Sequence, residues 1–109
     1  MKFLSRSEEM MLLAILNLGK DAYVVSIQEE LNRMTGETWA LGGLFVTLDR
    51  MGRKGYVRSR LSKPTPERGG RRKRLYRITP SAVDVLNEVR KLHASIWQKI
   101  PALKKEDFA

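Results

Sequence analysis

The run Arg68-Gly69-Gly70-Arg71-Arg72-Lys73-Arg74 sets five cations around two adjacent glycines, and the chemistry open to such a run is the capture of anions. Glycine tolerates backbone angles that other residues resist, so the chain can bend sharply at Gly69 and Gly70 while the flanking cations reach phosphates. Residues 40–79 hold twelve Lys/Arg against Asp49 and Glu67, a balance of +10, whereas residues 1–39 carry −2 and residues 80–109 carry +1. The excess charge of the chain, +9 in all, therefore belongs to its middle third. Concentrated charge beside a turn is the footprint of a nucleic-acid binder, more than of an evenly solvated surface.

Bond-making chemistry finds little support. The chain has a single histidine and no cysteine. No Ser/His/Asp or Cys/His set, phosphate-binding glycine loop or carboxylate pair stands at catalytic spacing, so an enzyme is not expected, and neither is a cofactor. Met10, Met11, Met34 and Met51 fit plain packing better than a metal site. A chain of 109 residues suits one domain, and its small size makes an oligomer interface a natural source of added stability. The lack of cysteine is compatible with a reducing compartment, which makes the cytoplasm the default. The apolar run from Met10 to Leu18 is too short for a membrane span and follows Glu8 and Glu9.

The elements that must position the basic residues can be read from periodicity and caps. Ser5-Arg6-Ser7-Glu8 has the spacing of a capping box, which starts a first helix near residue 6. That helix is apolar nearly all round and stops at Gly19, which predicts burial partly against another subunit. A second helix follows from Tyr23, Val24, Ile27, Leu31 and Met34, ending at Gly36. A third places Leu41, Leu44, Phe45, Leu48 and Met51 inward and ends at Gly55. Its other face begins with Gly42, Gly43, Val46 and Thr47 and finishes with Arg50, Arg53 and Lys54. Two adjacent glycines lose roughly 1 kcal/mol each relative to Ala in a helix interior. Either they let this helix approach a DNA groove closely, or they merely open the helix in a tight turn.

Tyr56 to Leu61 alternates as a strand, with Val57, Ser59 and Leu61 on one side and Arg58 and Arg60 on the other. Arg74 to Ile78 is its partner, with Tyr76 and Ile78 inward. The connection from Ser62 to Lys73 is longer than an ordinary hairpin loop needs, which points to a functional loop. Thr79 caps the last helix, and Pro80 takes a first-turn position whose N–H has no helical acceptor. Ala82, Leu86, Val89, His93, Ile96, Ile100 and Leu103 then recur at coiled-coil steps, a seam suited to a second copy of the chain, with Pro101 bringing the final turn into question. The expectation is mainly α with a small β-hairpin: a winged helix-turn-helix over residues 1–79, and a dimerisation helix with its tail over residues 80–109.

Helix, helix, helix, strand, basic loop, strand is the order of a winged helix-turn-helix, where the third helix enters the major groove. The segments Leu41 to Met51, Lys54-Gly55-Tyr56-Val57, Pro64 to Lys73 and Tyr76-Arg77-Ile78-Thr79 together resemble the PadR family of bacterial and archaeal transcriptional regulators, over roughly residues 4–100. The resemblance implies a homodimeric repressor whose fourth helix, assisted by the first, makes the dimer. It implies that Gly42, Gly43, Val46, Thr47 and Arg50 lie towards DNA, and that Arg71, Arg72 and Lys73 form the wing. Phe45 stands where the family commonly has tyrosine, and is assigned to the core. The chain ends soon after one helix, as in compact members with a single dimerisation helix.

The candidate DNA-binding residues are thus Gly42, Gly43, Val46, Thr47, Arg50 and Arg53 on the third helix, and Arg68, Gly69, Gly70, Arg71, Arg72, Lys73 and Arg74 on the wing. Arg50 is the leading candidate for a bidentate guanine contact, with a phosphate contact as the alternative. The candidate dimer residues are Leu86, Val89, His93, Ile96, Trp97 and Ile100. Trp97 either packs on the partner's first helix or, as the resemblance admits, meets a small aromatic effector between subunits. His93 is either a pH switch or a hydrogen-bonded interface residue. Trp39 is expected in the core. Two other functions fit the composition: a winged-helix assembly module whose basic patch meets an acidic protein, and a non-specific nucleic-acid coating protein.

Overall fold

The computed structural model describes residues 3–64 and 72–109. In chain order it contains α1 (Arg6–Leu18), a 3-10 turn (Gly19–Asp21), α2 (Val24–Thr35), α3 (Leu41–Arg53), β1 (Val57–Leu61), β2 (Arg74–Ile78), α4 (Pro80–Gln98) and a last 3-10 turn (Lys105–Phe108). The fold is mainly α with one antiparallel hairpin, as the periodicity predicts.

The cap at Ser5 forms in full: the Glu8 N–H donates to Ser5 Oγ at 3.1 Å, and the Ser5 N–H donates to Glu8 Oε1 at 2.9 Å. Two of the orphan donors at this helix start are thereby satisfied. α2 ends at Gly36, whose φ of 72° is the left-handed conformation that a glycine adopts without strain. Between α2 and α3 the chain is held by Trp39. Its backbone N–H donates to Asn32 Oδ1 at 2.9 Å, its indole N–H donates to Thr35 Oγ1 at 3.0 Å, and its carbonyl accepts from Gln28 Nε2 at 2.6 Å. Trp39 packs against the core as expected, but its further work is to fix where α3 begins.

The core gathers Met11, Leu12 and Ile15 of α1, Ile27 and Leu31 of α2, and Leu44, Leu48 and Met51 of α3. Burying each such side chain contributes roughly 1.5–3 kcal/mol. Tyr56 and Val57 close it from the hairpin, and Ala82 and Val85 from α4. In the hairpin, Val57 pairs with Ile78, Ser59 with Tyr76 and Leu61 with Arg74. The Tyr76 N–H also donates to the Ala22 carbonyl at 2.8 Å, so the segment after α1 shields part of the outer edge of β2.

Thr79 does more than cap α4. Its hydroxyl accepts from the Ala82 N–H at 3.2 Å and donates to the Gly55 carbonyl at 2.6 Å, while its own N–H donates to the Tyr56 carbonyl at 3.0 Å. The start of α4 is thereby pinned to the end of α3. The first turns of α4 bury Ala82, Val85 and Val89, and beyond them the helix is largely exposed. Nineteen helical residues span about 28 Å, and the molecule is correspondingly elongated, 60 × 29 × 20 Å.

The structure corrects three expectations. Phe45 is not core: it is 53 % exposed, because it lies roughly 80° around α3 from the line through Leu44 and Leu48. Leu41, at the first position of α3, is likewise 38 % exposed. The regular seam of α4 stops at Gln98, so Ile100 and Leu103 follow it outside the helix. Pro101 disfavours helical angles at the residue before it, which accounts for the stop.

Candidate nucleic-acid interface

α3 turns Gly42, Gly43 and Val46 to solvent at its N-terminal end, with Thr47 partly covered and Arg53 exposed at its C-terminal end. A Cβ built on Gly42 or Gly43 would meet nothing within 4 Å. Neither glycine has a positive φ. No packing or positive-φ demand within the described chain explains these two residues.

Arg50 and Lys54 lead away from that face. Arg50 Nε lies 3.4 Å, and Lys54 Nζ 3.0 Å, from Glu8 Oε2 of α1. Glu8 is only 3 % exposed, whereas the two cations keep about two fifths of their side-chain surface in water. Burial pushes the Glu8 carboxyl up. The Ser5 N–H, the Lys54 ammonium and the Ser5 hydroxyl outweigh it and lower its pKa to about 2. Arg50, expected to reach a base, is thus engaged by an internal carboxylate in the free protein. The sequence signal for this contact was Glu8 itself, which read only as the partner of Ser5 in the cap. Arg53 pairs with Asp49 one turn earlier at 2.5 Å, in full solvent, where such a pair adds little stability.

Across a groove from α3 stands the inner face of the hairpin. Phe45, Asp49 and Arg53 line one side, and Val57, Ser59, Arg74 and Tyr76 the other. Arg74 donates to Ser59 Oγ at 3.0 Å. Burial raises the Tyr76 pKa against the opposing charge of Arg74, so the phenol is neutral where it lines the groove. Phe45 gains a place here that sequence reasoning missed.

The neck of the wing is firmly closed. The Ser62 N–H donates to the Lys73 carbonyl at 2.7 Å, and the Lys73 N–H donates to Ser62 Oγ at 2.8 Å. Arg72, Lys73 and Arg74 are exposed. Lys73 places its ammonium 4.2 Å from the centroid of the Tyr23 ring, an arrangement worth about 0.5–1 kcal/mol at an exposed site. Arg68, Gly69, Gly70 and Arg71 lie outside the described residues.

At the far end, His93, Ile96, Trp97, Ile100 and Leu103 line a shallow apolar groove together with Arg6. Trp97 is 61 % exposed. Of the other proposed interface residues, Leu86 packs against the core of its own chain and Val89 is itself buried within that chain. The face left open is therefore the C-terminal half of α4.

The sequence model of the transcriptional regulator PadR-like family matches residues 12–88, well over half of the chain. The chain belongs to the PadR-like family. This family is one of transcriptional regulators rather than enzymes. A PadR-like transcriptional regulator from Bacillus cereus superposes with a TM-score of 0.67 at 20 % identity, covering 84 % of each chain. A PadR family transcription regulator from Clostridium difficile gives 0.62 at 24 % identity, covering 84 % of this chain and 91 % of the other. RosR of H. salinarum gives 0.68 at 20 % identity over 92 % and 83 %. At these identities the solved structures speak to the fold, a winged helix, and to nothing finer. No curated protein sequence gives a significant match. In winged-helix terms, α3 is the third helix, the hairpin is the wing, and α4 is the C-terminal helix. No helix among the described residues is long and apolar enough to cross a membrane.

Proposed function

We propose that this PadR-like chain is a homodimeric, sequence-specific DNA-binding repressor that acts on an inverted-repeat operator and is released by a small aromatic effector. One observation carries the reading. The α3 face of Gly42, Gly43, Val46 and Thr47 and the cations of the hairpin lie in the compact part of the molecule, while an uncovered apolar face occupies the outer half of α4. The first suits a duplex and the second suits a copy of itself.

In this reading α3 enters the major groove, its small residues admitting the backbone close to the base edges and Thr47 supplying choice of sequence. Arg53, Arg72, Lys73 and Arg74, with the wing cations outside the described residues, supply sequence-independent affinity and register. Arg50 grips phosphate or base only after exchanging its contact with Glu8. The exposed part of α4, from His93 to Ile100, docks on the same helix of the partner with help from α1. Trp97 either packs on the first helix of the partner or offers its ring to a planar effector between the subunits. The cell compartment that fits is the cytoplasm.

Selection of preferred sites from a pool of random duplexes tests the reading. Recovery of an inverted repeat with half-sites about one helical turn, ~34 Å, apart is expected. Recovery of no consensus, with binding retained, points to a coating protein. Failure to bind any nucleic acid points to an assembly module with an acidic partner.

A further inference from the structure

β1 and β2 have a second face. Side chains alternate across a strand, so while Val57, Ser59 and Tyr76 turn towards α3, Arg58, Arg60 and Arg77 turn outward. There they line a groove with Leu75 of β2 and with Lys20 of the turn after α1. Arg58 stands directly across the ladder from Arg77. Like charges directly opposed in an antiparallel pair destabilise it. All four cations are exposed, and among the described residues none is paired with a carboxylate. The hairpin therefore carries a like-charge cluster that no carboxylate among the described residues neutralises, at positions where threonine or valine would serve the strand better.

We propose that this outer face is a second DNA-backbone surface, which holds the phosphates flanking the segment occupied by α3 and the wing. The occupant is argued from three features: the charge is of one sign, it is spread over a groove rather than focused on a point, and it lies on the same two strands that lead to the wing. A duplex reaching the wing neck at Arg72 and Lys73 passes beside Arg60 and Arg58. The function of the face is affinity and an enlarged footprint, without sequence choice. The inference rests on DNA being the partner proposed above.

The test uses the full chain and the triple variant Arg58→Gln, Arg60→Gln, Arg77→Gln. Binding is titrated over several salt concentrations on a duplex limited to the preferred inverted repeat and on one extended by about one helical turn at either end. The wild type is expected to bind the longer duplex roughly tenfold more tightly, with a log–log salt slope steeper by about 0.9 for each flanking phosphate engaged. The triple variant should lose that gain and keep its binding to the short duplex. Because the substitutions relieve repulsion, its melting temperature should be no lower than that of the wild type, and Arg77→Gln alone offers a milder version with a partial loss. Equal wild-type binding to both duplexes, or an equal loss by the variant on both, would overturn the proposal. An unchanged slope in the variant would also overturn it. Should the protein show no sequence preference while the variant still flattens the salt slope on a scrambled duplex, the operator reading falls and this surface stands. Intact preference with an unaltered slope gives the reverse.

Discussion

Glu8 of α1 and Lys54 at the end of α3 meet at 3.0 Å, with the Glu8 carboxylate buried and also in reach of Arg50. A single acid thus completes the cap of α1 and fastens α1 to the C-terminal end of α3. Elsewhere on its surface α1 lines a groove with α4 through Arg6, Glu9, Leu13 and Leu16. α1 therefore connects the face proposed for dimerisation with the helix proposed for DNA. Arg50 reaches this carboxylate through Nε at 3.4 Å and keeps about two fifths of its side chain in water.

Glu8→Gln should lower folding stability by on the order of 2 kcal/mol, a value below that of fully buried pairs because both cations are partly solvated. Glutamine can still accept from the Ser5 N–H, so α1 should keep its cap. Chemical denaturation followed by far-ultraviolet circular dichroism checks the loss. The same variant should bind non-specific DNA more tightly, since Arg50 and Lys54 no longer have an internal anion.

Acid should reproduce this loss in the wild type. The folded-state pKa of Glu8 is depressed from 4.5 to about 2, so its contribution is fully present above 4.5 and disappears as pH falls towards 2. The difference in stability between wild type and Glu8→Gln should therefore be constant from neutral pH down to the upper bound and shrink below it. A difference that stays flat through that window would remove Glu8 from the charge cluster.

Gly42→Ala and Gly43→Ala should move stability and binding in opposite directions. A Cβ at either site meets no atom within 4 Å, and alanine in a helix is favoured over glycine by up to about 1 kcal/mol. The variants should melt at or above the wild-type temperature and lose tenfold or more in DNA affinity. Thermal melts and fluorescence anisotropy read the two effects. Unchanged affinity would return these glycines to the role of helix starters.

Phe45→Tyr adds a hydroxyl to a ring that is 53 % exposed beside the α3 groove. If DNA runs along that face, the new O–H donates to a phosphate and affinity rises severalfold, about 1 kcal/mol or more for a hydrogen bond to a charged acceptor. Folding stability should hardly change. Anisotropy titration of both proteins on one duplex is sufficient.

Trp97→Ala should weaken self-association by tenfold or more, as expected of an aromatic at the centre of an apolar face. Sedimentation equilibrium reads the change. The fold of the monomer should persist, since Trp97 lies well beyond the buried turns of α4.

Local signals made most of the fold legible in the sequence. The Ser5 and Thr79 caps, the glycine stops and the alternation in β1 and β2 each act within a few residues, and α1, α2, the two strands and the start of α4 stand close to where these placed them, whereas α3 ends at Arg53 and α4 at Gln98, short of the expected ends. What could not be read depends on contacts between distant residues. Glu8 and Lys54 are 46 positions apart, and two of the three partners of Thr79, Gly55 and Tyr56, lie on the other side of the hairpin in sequence. Phe45 misled because a helical stripe has rims, and which rim is covered depends on where the neighbouring element packs. In α4 the spacing of Leu86 and Val89 matched a seam between copies equally well as a contact with the same chain's core. Only the placement of α4 decided that Val89 is buried at home.

The most direct test of regulation by DNA binding is titration of the purified protein, at several salt concentrations, against the DNA upstream of its own gene and against a scrambled duplex of the same length. Two chains per site and a preference of ~10³ or more for the upstream DNA are expected. Equal affinity for both duplexes, falling together as salt rises, would contradict sequence-specific regulation at that site and leave only an electrostatic surface.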